Sequence, residues 1–369
     1  MHMQMRPLIL APVLCLAAVP AWAEDLTFTH PSGATATFYG QLNLTYQRVD
    51  DGERSYDDFV DNSNSVSRLG FWIDVPVGEN ELRFNLETGL GFKTTADTNQ
   101  LDDPDWIDWQ RTDLRKFEGV YSGNFGAVWF GQGSMATDAL AEIDNSGTTL
   151  AGYVNLPDTA GSYEFRDGDT LSGIRISDTF RDFDGGRRFR IRYDTPEFSG
   201  FTFSAAYGEE ILAEEDDASY YDLGLRYAYE SDVFKADAGI GYAWKSDDDE
   251  DTEQLIASTS IKHLPTGLSA TFAAGDGKND NGSYGYVKLG WTGDLIDYGS
   301  TALSIDYFDG SDYETGGSES KSWGIQAVQT FDDLKLEAYL GYREYQFDDD
   351  TGADYQDISA LLVGARWKF

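Results

Sequence analysis

The sequence predicts an all-β protein, a sixteen-stranded antiparallel barrel that crosses a membrane, and three observations carry that expectation. Apolar and polar residues alternate with a period of two in stretch after stretch, while no helical period persists. Aromatic residues and glycine are abundant, with 22 Tyr, 22 Phe, 9 Trp and 39 Gly in 369 residues. The connections between alternating stretches are tight at one end and mostly long and acidic at the other, as in a barrel whose turns and loops face different compartments.

The first element is a leader. Residues 1–23, "MHMQMRPLILAPVLCLAAVPAWA", carry Arg6, an apolar stretch from Leu8 to Val19, and the small-x-small run Ala21-Trp22-Ala23. That is the layout of a secretory signal cleaved after Ala23, and the apolar stretch is shorter than the roughly 20 residues of a spanning helix. Cys15, the only cysteine, leaves with it, and bulky Leu14 before it argues against a lipoprotein site. The remainder, 24–369, is expected to be one barrel domain without disulfide or thiol chemistry.

Strands are expected at 36–47, 66–76, 80–92, 113–123, 125–133, 187–195, 199–209, 219–230, 233–246, 252–263, 266–276, 283–293, 299–309, 320–331, 334–347 and 355–369. In the first, Phe38, Gly40, Leu42, Leu44 and Tyr46 share one face, and Tyr39, Gln41, Asn43 and Thr45 the other. The second sets Leu69, Phe71, Ile73 and Val75 against Arg68, Gly70, Trp72 and Asp74. The third sets Leu82, Phe84, Leu86, Leu90 and Phe92 against Arg83, Asn85, Glu87 and Gly89. Each stretch is near the 9–11 residues of a tilted membrane strand. The later strands are paired off by short turns such as "EFS", "SD", "PT" and "DD", and separated by acidic loops such as "SDDDE" and "DDDTGAD". The last strand, ending "LLVGARWKF", alternates to its final residue because it must pair with the first to close the sheet and leave no edge. Residues 134–186 break the rhythm. A connection of that length is usually functional; alternatively "SYEFRD" and "SGIRISDTF" form one more hairpin and make eighteen strands.

The net charge of −38 becomes one unit more negative without Arg6. Such a surface repels phosphate backbones, so nucleic acid is excluded as a partner. Two histidines remain beyond the leader, His30 and His263, both expected at the short-turn rim, which argues against a histidine-dependent hydrolase. Acidic stretches 246–253 and 348–354 could supply oxygen ligands to Ca2+. The stretch "DGKNDNG" is not an EF-hand loop, because Gly282 is one place late and residue 287 is Val.

At this point the chain resembles a family. "SRLGFWIDVPVGENELRFNLETGLGF", "FEGVYSGNFGAVWFGQG", "RFRIRYDTPEFSGFTFSAAYG" and the terminal "RWKF" resemble, in order, strands two to seven and the closing signal of Gram-negative general diffusion porins. The resemblance implies a homotrimer of sixteen-stranded barrels in the outer membrane, among lipid and lipopolysaccharide. It also implies that the third loop folds into each barrel and narrows a water-filled pore for small hydrophilic solutes and ions, with no required cofactor.

Parity places Arg68 and Arg83 on the lumen side of neighbouring strands, and Arg188, Arg190 and Arg192 opposite outward Phe189, Ile191 and Tyr193. By resemblance these five match the family's basic wall, and Asp138, Glu142, Asp144 and Asp158 of the long loop its acidic side. Each arginine could instead pair with a lumen neighbour such as Asp74 or Glu87. The family's Pro-Glu-Phe-Gly motif is absent from the long loop, and Trp72 faces the lumen where small polar groups are usual. Trp72 could pack under the loop or belong to an aromatic track, which would favour a substrate-specific channel for sugars or small carboxylates. A secreted acidic adhesin remains as a reading without a pore.

Overall fold

A computed structural model describes residues 26–214, 216–247, 251–278 and 282–369; the expected leader lies outside them. The chain begins with β1 (Leu26–Thr29), β2 (Thr35–Asp50), β3 (Ser55–Asp61), β4 (Arg68–Val77), β5 (Asn80–Gly89), β6 (Leu114–Gly123) and β7 (Gly126–Ser134). Strands β8 (Glu164–Asp167) and β9 (Thr170–Arg175) and a single helical turn, Ile176–Thr179, lie within the long connection. Then come β10 (Arg187–Asp194), β11 (Phe201–Glu209), β12 (Ser219–Glu230), β13 (Phe234–Ser246), β14 (Thr252–His263) and β15 (Leu268–Gly277). The last are β16 (Ser283–Ile296), β17 (Gly299–Ser311), β18 (Glu319–Phe331), β19 (Leu336–Asp348), β20 (Tyr355–Gln356) and β21 (Ile358–Lys368).

Sixteen of these close a barrel: β2, β4 to β7, β10 to β19 and β21, each antiparallel to its neighbours, with β21 returning to β2. Closure is sealed at Gly40, whose N–H donates to the Phe369 carbonyl at 3.0 Å while the Phe369 N–H donates back at 3.1 Å. A side chain at Gly40 would collide with the Phe369 ring, which a Cβ would approach to 2.6 Å. The short β1 also pairs with β2, through Leu26–Thr29 against Thr35–Phe38. It and β3 add to the sheet without joining the circuit.

The alternation read from the sequence is the inside–outside partition of this wall. On β10, Phe189, Ile191 and Tyr193 are 48%, 57% and 40% exposed, whereas Arg190 between them is 3% exposed. In a membrane the outward rings meet hydrocarbon and the inward polar groups do not.

Two expectations need correction. The hairpin in the long connection forms, as β8 and β9, but it pairs with β20 in a separate three-stranded sheet and does not enlarge the barrel to eighteen. The expected last strand, 355–369, is broken, β20 belonging to that sheet and β21 alone to the wall. The small sheet ties three loops together. Arg166 on β8 reaches Asp51 of the first loop at 2.8 Å, and Gln356 Nε2 donates to the Gly168 carbonyl at 2.9 Å.

Candidate functional site

Residues 135–186 run across the buried faces of several strands, held by hydrogen bonds to β12, β14, β16, β17 and β19. Asp222 of β12 accepts from the Ala136 and Thr137 backbone N–H groups at 3.0 and 2.8 Å. Ser258 of β14 donates to the Leu140 carbonyl at 2.5 Å, and Ser260 accepts from Asn145 N–H at 2.8 Å. Further on, Thr148 meets Ser304 of β17 at 2.7 Å, and Tyr345 of β19 donates to the Thr159 carbonyl at 2.7 Å. The apolar counterpart is Leu140, fully buried, whose methyl groups fill the space above Gly224, Gly239 and Gly241. The tie at the centre is ionic. Lys288 Nζ of β16 donates to Asp144 at 2.7 Å and to the Gly152 carbonyl at 2.8 Å.

Asp144 therefore corrects an expectation. Its carboxylate is 4% exposed, faces the wall and also accepts from Ser146 N–H at 2.7 Å, so it anchors the segment and offers no free charge. The other acids of the segment gather. Asp138, Asp158, Asp182 and Asp184 all act electrostatically on Glu142. Burial pushes Asp158 up to about 7 and Asp182 up to about 6. Burial and the neighbouring acids raise Glu142 and Asp184 well above the ordinary carboxylate range. Tyr153 donates to Asp158 at 2.5 Å, while Asp184 is held by the Ala139 and Ala141 N–H groups at 2.6 and 2.7 Å.

The arginines divide. Arg68 stands within electrostatic reach of Arg115, Arg366 and Arg187, and its contact with Glu87 is a long 3.6 Å. Arg115 and Arg187 both act electrostatically on Asp158, so the acidic cluster and this arginine group lie within reach of each other. The remaining four expected arginines are neutralised locally. Arg83 bonds Asp74 and reaches Glu81 at 3.5 Å near the short-turn rim. Arg190 is buried in an ion pair with Glu118, side chains 1% and 2% exposed. Arg192 binds Asp194 at 2.8 Å and the Met135 carbonyl at 2.8 Å, and Arg188 lies 3.4 Å from Glu210 and over the Tyr220 ring.

Arg115, Arg187, Arg366, Asp182 and Asp184 were missed. By strand parity Arg115 falls with outward Phe117, but the β5–β6 register slips between Glu87 and Thr88, leaving Arg115 without a partner across the ladder. A bulge of this kind re-aims a side chain, and Arg115 Nε bonds inward Glu87 at 2.7 Å. Arg187 is the first residue of its strand, where parity constrains least.

A family model described as Gram-negative porin matches residues 10–360. The chain belongs to the Gram-negative porin family. Solved structures with the same fold include the anion-selective porin of Comamonas acidovorans, 17% identical over 91% of this chain and 100% of that one, TM-score 0.61. The outer membrane channel DcaP of Acinetobacter baumannii is 14% identical over 93% and 99% of the two chains, TM-score 0.60. OmpF of Salmonella typhi, solved with daunomycin, is 12% identical over 93% and 100%, TM-score 0.56. No curated protein matches the chain at comparable significance. As a porin it is an outer-membrane β-barrel that serves as a diffusion channel.

Two further placements concern metal and histidine. Among the described residues no group of three or more His, Cys, Asp or Glu converges as a metal site, and residues 248–250 and 279–281 lie outside those described. His30 and His263 stand by the short turns, bonded to Ser32 and Thr266 at 2.8 and 2.7 Å.

Proposed function

We propose that this porin passes small hydrophilic solutes and ions through a lumen narrowed by residues 135–186, where Arg68, Arg115, Arg187 and Arg366 face Glu142, Asp158, Asp182 and Asp184. The observation that carries this reading is the arrangement itself: four arginines gather on one side, two of them bound by Glu87 and Glu337, and the acids of the long segment gather on the other. Opposed charges across a narrow aqueous passage order water and penalise apolar solutes, so size and field select together. The channel is not an enzyme in this reading and needs no cofactor; calcium at the acidic loops would be accessory. We assign it a homotrimeric assembly in lipid and lipopolysaccharide, in keeping with a Vibrio cholerae outer membrane protein of the same fold described in a trimer form.

The test is reconstitution. Liposomes carrying the protein should swell in isosmotic sugars at rates that fall steeply with solute size, and planar bilayers should show discrete conductance steps in KCl. Insulating bilayers would end this reading. Conductance that saturates with one sugar or carboxylate would replace it with a substrate-specific channel.

Acid should tilt the selectivity. Between pH 8 and pH 5 Asp158, near 7, and Asp182, near 6, take up protons while the arginines keep their charge. The constriction becomes net more positive, so the chloride-to-potassium permeability ratio is expected to rise nearly tenfold, about threefold for each of the two charges lost at close range in water. A zero-current potential that stays flat across this window would remove the acids from the ion path.

A further inference from the structure

Four lumen-facing residues stand together below the arginine row: Tyr39, Trp72, Lys116 and the locally paired Arg83. Trp72 stands four residues along β4 from Arg68 on the same face, about 13 Å nearer the short-turn rim at the rise of an extended strand. Tyr39 stacks beside it with ring centroids 6.4 Å apart and planes 24° apart. Arg83 lies 5.1 Å and Lys116 6.0 Å from the centre of the indole ring.

The charges here do not cancel. Glu87 is taken up by Arg115 at 2.7 Å, by the Tyr39 hydroxyl at 2.9 Å and more loosely by Arg68. Asp74 and Glu81 are taken up by Arg83. Among the described residues Lys116 has no carboxylate partner, and its ammonium rests over an aromatic ring. A lysine on a flexible stem exchanges such a contact readily for a carboxylate, while the ring stays in place.

We propose that Trp72 and Lys116, flanked by Tyr39 and Arg83, form a subsite for small aromatic carboxylates on the short-turn side of the constriction. This rests on the channel reading, since the subsite lines the same lumen. An inorganic anion would use Lys116 and gain nothing from the indole. A neutral sugar would use the indole, but the polar groups beside it are already committed, the Tyr39 hydroxyl donating to Glu87 and accepting from Asn85 Nδ2 at 3.0 Å. A ring bearing a carboxylate uses both, stacking against Trp72 and Tyr39 while its charge draws Lys116 off the indole.

The experiment is block of single-channel KCl current through the intact reconstituted protein. Three probes of one size are compared: benzoate, cyclohexanecarboxylate and benzylammonium. Benzoate should interrupt the current at concentrations about fivefold lower than cyclohexanecarboxylate, the advantage of a good ring-to-ring contact, and benzylammonium should not interrupt it. Trp72→Leu should erase the preference for the aromatic ring. Lys116→Gln should weaken both carboxylates about threefold and leave the preference between them intact. Equal block by the two carboxylates, block by benzylammonium, or benzoate block unchanged in both variants overturns the subsite while leaving a conducting channel. Absence of any KCl conductance removes the channel reading and the subsite together.

Discussion

Replacing Arg68 and Arg187 together with serine is expected to raise the potassium-to-chloride permeability ratio about tenfold, read as a shift of zero-current potential in a KCl gradient. A unit charge about 6 Å from an ion in water contributes about 0.7 kcal/mol, close to threefold per charge and tenfold for two. These two arginines are chosen because their charge is least spent. Arg187 carries a buried Nε with no hydrogen-bond partner, and Arg68 touches Glu87 only at 3.6 Å. The opposing acids remain, so the field shifts in favour of cations. Low salt is required, since screening at 1 M shortens the reach of each charge to about 3 Å. Arg83→Ser is the internal control. Opposite Asp74 in the ladder, Arg83 stands six residues along from Arg68, about 20 Å nearer the short-turn rim and beyond the screening length of about 10 Å at 0.1 M, and the shift should be well under twofold. A double variant indistinguishable from wild type, or a control that moves as far as the double variant, would separate these arginines from the ion path.

The wall was legible in the sequence because the inside and outside of a closed sheet differ in solvent, and a period of two records that difference residue by residue. The same rule found Arg68 and correctly turned Arg188, Arg190 and Arg192 inward. It offered Asp74 and Glu87 as partners, which Arg83 and Arg68 meet, but it did not find Glu118 or Asp194. Whether an inward arginine is a free charge depends on which carboxylate reaches it: Glu118 of β6, two strands away, quenches Arg190, and that approach is not written in either strand alone, whereas Asp194 quenches Arg192 from two residues along the same strand. The rule failed outright where the ladder is irregular, at the bulge that redirects Arg115. Within residues 135–186 there is no period at all. Asp144 and Asp158 look alike as residues in a loop, yet one lies against Lys288 and the other opposite Arg115 and Arg187. The hairpin of β8 and β9 shows the converse problem: its strand pattern was real, but nothing local said which sheet it would join.

The largest structural effect should follow from Lys288→Met. The Lys288 and Asp144 side chains are 0% and 4% exposed, and removing one partner of a buried pair strands the other charge at a cost of about 3–5 kcal/mol. Lys288 also holds the Gly152 carbonyl, so the substitution releases two points of one segment at once. The barrel keeps all sixteen of its ladders and should persist; the segment it carries should not stay in register. The expected readouts are a larger and noisier KCl conductance, new protease cleavage within 140–160, and a lower temperature of heat-induced mobility change on gels. Lys288→Met combined with Asp144→Leu separates charge from tether. If the stranded carboxylate dominates, the double variant should recover most of the heat stability, because an apolar pair fills the same space without a desolvation penalty. If the Gly152 contact dominates, it should recover none. The pair also sets an acid limit. Burial alone would raise the Asp144 pKa, but the Lys288 charge and hydrogen bond outweigh it and hold it below the ordinary carboxylate value. Its contribution is therefore complete above about pH 4, the unfolded-chain value, and is lost only as pH falls through the lower folded value. Mild acid should thus change the selectivity of the channel, through Asp158 and Asp182, well before it loosens the segment that bears them.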